Sequence, residues 1–439
     1  MQKINLKQVS FISAKKILLK RSNSSQSPLT KKTVQKIISD VKKNGNKALI
    51  RQSNKIDKTN FKSISEATYS RSDFKKHFEK LDKKTKKSLE YIKKRIIKFH
   101  KSIKINDLKF SDEIFNFLGQ IHKPIEKIGL YAPGGKAVYP SSILMTALVA
   151  RVAGCKEVSL FFPSSSDEAK KLMLATAHVS EINRAYNFGG AQAIAAMAYG
   201  TETIIKSDKI FGPGNIFVSE AKRQVFGDVG IDSFAGPSEV LIISDKQHNF
   251  TKLASDLIAQ AEHGEDSKCI FIQIGKKSIQ NLFKELNEQV NLSPRKKIIK
   301  KALEKNSMFI QVKNLEDAIE INNLVVPEHL QIICRNFKEN LLKKISAGAI
   351  FIGEKNTAVL GDYAAGPSHV IPTNTAARFS SPVSIEDFLV RTSVSAIKSI
   401  KDEKKYNEIL DNSIFLAELE GLYGHANALR LRRKKKLPI

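Results

Sequence analysis

Apolar residues recur at three- and four-residue steps through the first quarter of the chain. Val34, Ile37, Ile38 and Val41 make one stripe, ended by Asn44-Gly45-Asn46, and Leu89, Ile92, Ile96 and Phe99 make another. Both predict amphipathic helices, and residues 1 to about 110 read as mostly helical. From about 127 the pattern changes. Short apolar runs over 128–131, 158–162, 182–186, 240–243, 270–274, 309–312, 330–334 and 350–352 have the length of strands. Helical stretches such as 142–152 and 250–262 lie between most of them. Such alternation predicts parallel sheets covered by helices, with ligands held at the carboxyl ends of the strands. From about Ser384 the strand pattern is lost, and the chain closes with a helix carrying Glu420 and His425.

Composition narrows the class. A chain of 439 residues suggests about three folding units of roughly 150. The longest apolar stretch, 143–150, is far short of the ~18 residues a membrane helix needs, so no membrane partner is expected. The first residues hold no apolar export segment. Cys155, Cys269 and Cys334 are too few and too scattered for a disulfide framework or a zinc knuckle. Cys269 and Cys334 fall in apolar runs and read as buried thiols, so the expected compartment is a reducing cytoplasm. The net charge of +29 raises nucleic acid as a partner. Yet the lysines between 81 and 100 fill the solvated faces of a helix, and no stacking aromatics interleave with them. Specific nucleic-acid recognition is therefore not expected. The basic stretch 430–436 is the most suggestive segment, but terminal tails of this kind are often merely disordered.

The chemistry gathers in the C-terminal half. Four of the nine histidines sit near a carboxylate or carboxamide: Gln260-Ala-Glu-His263, Glu328-His329, Asp362 with His369, and Glu420 with His425. Such side chains ligate divalent metals and move protons near neutral pH. Gln260 and His263, three apart, would share a helix face, though a helix-end pair can equally be solvated or capping. Asp362 lies in a glycine-flanked stretch that reads as a loop, where a carboxylate is either a metal ligand or a turn residue. Glu328 and His329 are adjacent, so both reach one substrate only if the backbone kinks.

Glycines supply a second theme. Tyr131-Ala-Pro-Gly-Gly-Lys136 ends a strand, Gly189-Gly190-Ala191-Gln192 precedes a helix, and Gly212-Pro213-Gly214-Asn215 opens another. A loop entering a helix offers free N–H groups to phosphate, although tight turns alone would account for these glycines. Phe217 takes the third place of the dinucleotide fingerprint Gly-x-Gly-x-x-Gly, so a dinucleotide would have to be held in another way.

Taken in order, these motifs, with Ala-Gly-Pro-Ser238-Glu and Pro327-Glu-His329-Leu, closely resemble the histidinol dehydrogenase family from about residue 125 to 430. The resemblance implies oxidation of L-histidinol through the aldehyde to L-histidine with one zinc per subunit and two NAD+. It implies zinc ligands Gln260, His263, Asp362 and His425, and proton transfer by Glu328 and His329. Ser238, Gln260, His263, His329, Asp362, His369, Glu420 and His425 would surround the substrate, and Tyr131, Gln192 and Asn215 would contact NAD. The implied fold is α/β, with two incomplete Rossmann-like domains in an intertwined homodimer. Its parts would be an N-terminal arm (1–26), a main domain (27–130 and 238–383), a second domain (131–237) and a C-terminal arm (384–439) carrying Glu420 and His425 to the partner. Val326 stands where alanine is expected before Pro327, and Ser368 where many members carry asparagine. Neither departure touches an implied ligand or base.

Overall fold

The computed structural model describes residues 7–19, 27–103, 105–134, 138–164, 166–234, 236–245, 249–275 and 278–433. Gly135 and Lys136 of the Tyr131 motif, and the last part of the basic tail, lie outside the described residues. The chain forms two units, Met1–Ile103 with Ile125–Phe388, and Lys104–Pro124 with Leu389–Ile439.

The larger unit is α/β and holds two six-stranded sheets. The first runs in the order Lys7–Ser10, Met308–Val312, Lys268–Ile274, Glu239–Ser244, His329–Ile333, Ala349–Ile352, with every pairing parallel. Val240 and Ile242 point into one apolar cluster, Leu241 and Ile243 into another. A strand covered on both faces needs apolar residues at every position, which is why these strands read as unbroken runs. The outermost strand, Lys7–Ser10, comes from the start of the chain.

The second sheet runs Thr68–Tyr69, Arg184–Tyr186, Glu157–Phe161, Lys127–Tyr131, Lys209–Phe211, Gly230–Ile231. It is parallel apart from the short Thr68–Tyr69 edge. The helix Pro28–Ile56, capped by Ser27, buries Val34, Ile37, Ile38 and Val41 against Gly190–Tyr199. Gly45, at φ +48°, breaks the helical run where the Asn-Gly-Asn signal lay, but helix resumes beyond it to Ile56. The segment 28–56 and the strand Lys127–Tyr131 thus go with the second sheet, not with the zinc-side sheet as the 27–130 division expected. The apolar stripe finds its complement in the alanine-rich helix Gly190–Tyr199.

The smaller unit is an antiparallel sheet, Leu389–Ala396, Phe117–Pro124, Leu108–Phe110, with helices Glu403–Leu419 and Tyr423–Arg430 packed together. The strand Leu389–Ala396 corrects the expectation of a strandless end. Its side chains are mostly exposed or half-buried, so it carries no apolar alternation to read. Cys155 and Cys269 are buried, but Cys334, expected to be so, is only half-buried at the end of its strand. No helix among the described residues is long and apolar enough to cross a membrane.

Candidate active site

A cavity of about 1120 Å³ opens in the larger unit where the two sheets meet. The second sheet contributes its carboxyl ends, as the alternation predicted: Tyr131 closes one strand, and the loops before Gln192 and Asn215 follow two others. The first sheet does the opposite. Ser238 immediately precedes the strand Glu239–Ser244, and His329 is the first residue of His329–Ile333, so both stand at amino ends. Gln260 reaches the same edge because a crossover helix, Phe250–Ala261, returns the chain there before the next parallel strand.

His263 sits just beyond that helix, its N–H donating to the Gln260 carbonyl at 3.3 Å, and both side chains line the cavity. Asp362 lies on a short helix, Ala358–Tyr363, capped by Thr357, and not in the loop that its glycines predicted. Gly361 is required there by proximity, since a Cβ would stand 2.5 Å from the Phe351 ring. His369 follows in the next loop. Its Nδ1–H donates to the Asp362 carbonyl at 2.7 Å, and its Nε2 lies 3.4 Å from Ser142 Oγ.

The kink that Glu328 and His329 need is present. Val326 ends the helix Leu315–Val325 in the left-handed region, at φ +46°, a costly conformation for a β-branched residue. Two residues later, the backbone of a single residue, Glu239, holds both side chains. The Glu239 N–H donates to Glu328 Oε2 at 3.0 Å, and the Glu239 carbonyl faces His329 Nδ1 at 3.3 Å. A carbonyl only accepts, so this contact keeps a proton on Nδ1 and turns Nε2 towards the cavity. Nε2 lies 3.6 Å from Asp362 Oδ1. The Glu239 carboxylate is paired with Lys268 at 2.7 Å.

Burial raises the Glu328 carboxyl to about 7, against the pull of His329. For His329, burial works downward, but Glu328 and Asp362 prevail and raise the imidazole to about 9. Burial raises Asp362, yet its bond to His329 and the surrounding imidazoles bring it below the ordinary carboxylate range. Burial also lowers His263 and His369, which favours the neutral rings a metal or substrate requires.

On the opposite wall, the Tyr131 hydroxyl accepts from the Gly190 N–H at 3.2 Å. Asn215 caps the helix Ile216–Val225 through Oδ1, which accepts from Phe217 and Val218 N–H. Sequence reasoning missed three residues here. Asp57 holds Gln192, and the buried pair Lys222 and Asp232 grips Gly212 by its carbonyl and its N–H. Their only signal is polarity at helix and strand ends that otherwise pack apolar. Glu420 and His425 belong to the smaller unit. Glu420 caps Glu403–Leu419, His425 lies on Tyr423–Arg430, and both are exposed.

Among the described residues no three His, Cys, Asp or Glu side chains form a metal-binding group. Within the larger unit the implied ligand set comprises Gln260, His263 and Asp362. Gln260 is buried with its Nε2 unpartnered among the described residues. That nitrogen is a donor and does not ligate a cation, so zinc would be met by Oε1, with the amide turned over. A nitrogen and oxygen set of this kind fits zinc and lacks one donor.

Comparison with known proteins bears on the family. The family model for histidinol dehydrogenase matches residues 19–433. The histidinol dehydrogenase of Neisseria gonorrhoeae is 40% identical over 434 residues, covering 99% of this chain and 100% of its own. That of Clostridium acetobutylicum is 42% identical over 404 residues, covering 92% of each. The crystal structure of histidinol dehydrogenase from Elizabethkingia anophelis superposes with a TM-score of 0.90 at 34% identity, covering 98% of this chain and 99% of that one.

Proposed function

The chain belongs to the histidinol dehydrogenase family, and on that footing we propose that it oxidises L-histidinol through L-histidinaldehyde to L-histidine with two NAD+. This is the closing step of histidine biosynthesis, and the reading places the enzyme in the cytoplasm. The observation that carries it is the common cavity. Glu328 and His329, tethered to the backbone of one residue, face the same space as Gln260, His263, Asp362 and the Tyr131–Gln192–Asn215 wall.

Gln260, His263 and Asp362 would hold zinc, with His425 of the partner subunit as the fourth ligand in a homodimer. Ser238, His369 and the partner's Glu420 would complete the substrate's surroundings. When bound, zinc orients the amino alcohol through its amine and imidazole, and NAD+ accepts hydride. His329 Nε2 takes the hydroxyl proton. Engaging Asp362 as a ligand removes one of the two carboxylates that hold a proton on that ring. Glu328 then draws a proton from the water that adds to the aldehyde, since a second hydride can leave only from the hydrate. A buried carboxyl with a pKa near neutrality suits that exchange. Retention of the aldehyde in the cavity protects it between the two oxidations.

The test is turnover of histidinol, with two NADH formed per histidine, alongside metal analysis. In His263→Asn, zinc should fall from about one per chain to near zero, with activity lost in parallel. Full zinc retention would overturn the ligand assignment. Absence of NADH formation by the zinc-loaded wild type would overturn the function.

A further inference from the structure

Asp57 caps the C-terminus of the helix Pro28–Ile56 and lines the cavity on the wall of Tyr131 and Gln192. The mechanism above makes no use of it. Its Oδ2 accepts from Gln192 Nε2 at 2.9 Å and from the Gly189 N–H at 3.3 Å, so Oδ1 is used by neither bond. Gln192 is fully buried, and its Oε1 has no partner among the described residues. A side-chain amide can turn over with almost no change in shape, and only its partners decide which end faces where. Turning this one over would set its oxygen against the Asp57 carboxylate. Asp57 therefore determines which end of Gln192 is left without a partner: Oε1, an acceptor buried in the wall of the cavity.

The charge of the wall adds an independent observation. Lys222 is the one lysine or arginine among the described residues lining the cavity, and it is committed to Asp232 and the Gly212 carbonyl. A phosphate on the ribose 2′ position calls for a free cation, whereas a free ribose diol calls for a fixed carboxylate.

We propose that Asp57 sets the dinucleotide preference: it orients Gln192 as an acceptor for NAD+ and, by its own charge, refuses the additional phosphate of NADP+. This rests on the reading of the Tyr131–Gln192–Asn215 wall as the dinucleotide site. The experiment titrates NADH and NADPH, by fluorescence and calorimetry, into the wild-type enzyme and the variants Asp57→Asn, Asp57→Ala and Gln192→Ala. Wild type should bind NADH and discriminate strongly against NADPH. Asp57→Asn still accepts from Gln192 but has lost the charge, so discrimination should fall by about tenfold or more, with NADH affinity reduced less than in Asp57→Ala. Asp57→Ala should lose about tenfold in NADH affinity, with KM for NAD+ rising in step and KM for histidinol little changed.

A purely structural Asp57 would weaken both dinucleotides alike, and an unchanged NADH-to-NADPH ratio in Asp57→Asn overturns the proposal. So does a wild type that binds the two equally. If Gln192→Ala binds NADH as tightly as wild type, the reading of the wall fails instead. The near-isosteric asparagine variant carries the test if the alanine variant does not fold.

Discussion

Glu328 and His329 are sequence neighbours whose side chains would diverge in a regular strand, and the turn at Val326–Pro327 with the Glu239 backbone brings them to one site. Their proposed roles separate by half-reaction. Glu328→Gln should slow oxidation of supplied histidinaldehyde by about 10²–10⁴-fold and the first oxidation by less than about tenfold. Equal losses in the two would refute the division. His100 gives a second residue-scale expectation, for stability. It is 1% exposed, and neither ring nitrogen has a hydrogen-bond partner among the described residues. Burial lowers it from 6.5 to about 4. The unfolded chain therefore takes up the proton first. The His100 contribution is intact above pH ~6.5 and is lost progressively as pH falls towards ~4, a span on the order of 3 kcal/mol. Urea midpoints of His100→Leu should depend less on pH in that window than those of wild type. Gln260, His263, Glu328, His329 and Asp362 stood out in the sequence as compact polar motifs, but the roles given to them come from the resemblance. Asp57 did not stand out, because one aspartate ending a lysine-rich helix looks like any surface cap.

Among elements, the loop Gly212–Asn215 shows how a backbone is fixed by charge. Gly212 takes φ +115°, and a Cβ there would stand 1.9 Å from the Tyr131 carbonyl oxygen. Lys222 and Asp232, each with 2% of its side chain exposed, hold the same glycine from either side. Removing one partner strands the other without a counter-charge. Lys222→Ala should cost about 3–5 kcal/mol in chemical denaturation. A loss below ~1 kcal/mol would mean that the site is wetter than its burial indicates. The glycines themselves could be read as a helix-opening loop, but the clamp could not, since ten residues separate Lys222 from Asp232. The strand Leu389–Ala396 and the helix bearing Asp362 were missed for a related reason: one has little buried surface and the other spans only six residues.

The α/β architecture was readable from the chain because both large sheets are buried on two faces, which writes apolar runs into the sequence. The end of the sheet that carries the chemistry was not. Periodicity locates strands, but only the path of the crossover helices brings Gln260 to the amino edge of its sheet. At the scale of the assembly, a site shared between protomers predicts complementation. Inactive His329→Ala and His425→Ala chains, unfolded and reassembled together in equal amounts, should form mixed dimers in half of all cases. Each mixed dimer has one intact site, giving roughly a quarter of wild-type activity. No recovery would place His425 in its own chain's site, and an active His425→Ala chain would place it outside catalysis. The +29 charge has no structural account in these contacts.

The hook that secures Glu328 and His329 is main chain, and so is indifferent to which side chain occupies position 239. Exchange of that glutamate leaves both attachments whole. Lengthening or shortening the strand Glu239–Ser244 by one residue would carry that backbone out of reach and release Glu328 and His329 together. What descent must preserve at this position is the strand's alignment, more than the identity of its first residue.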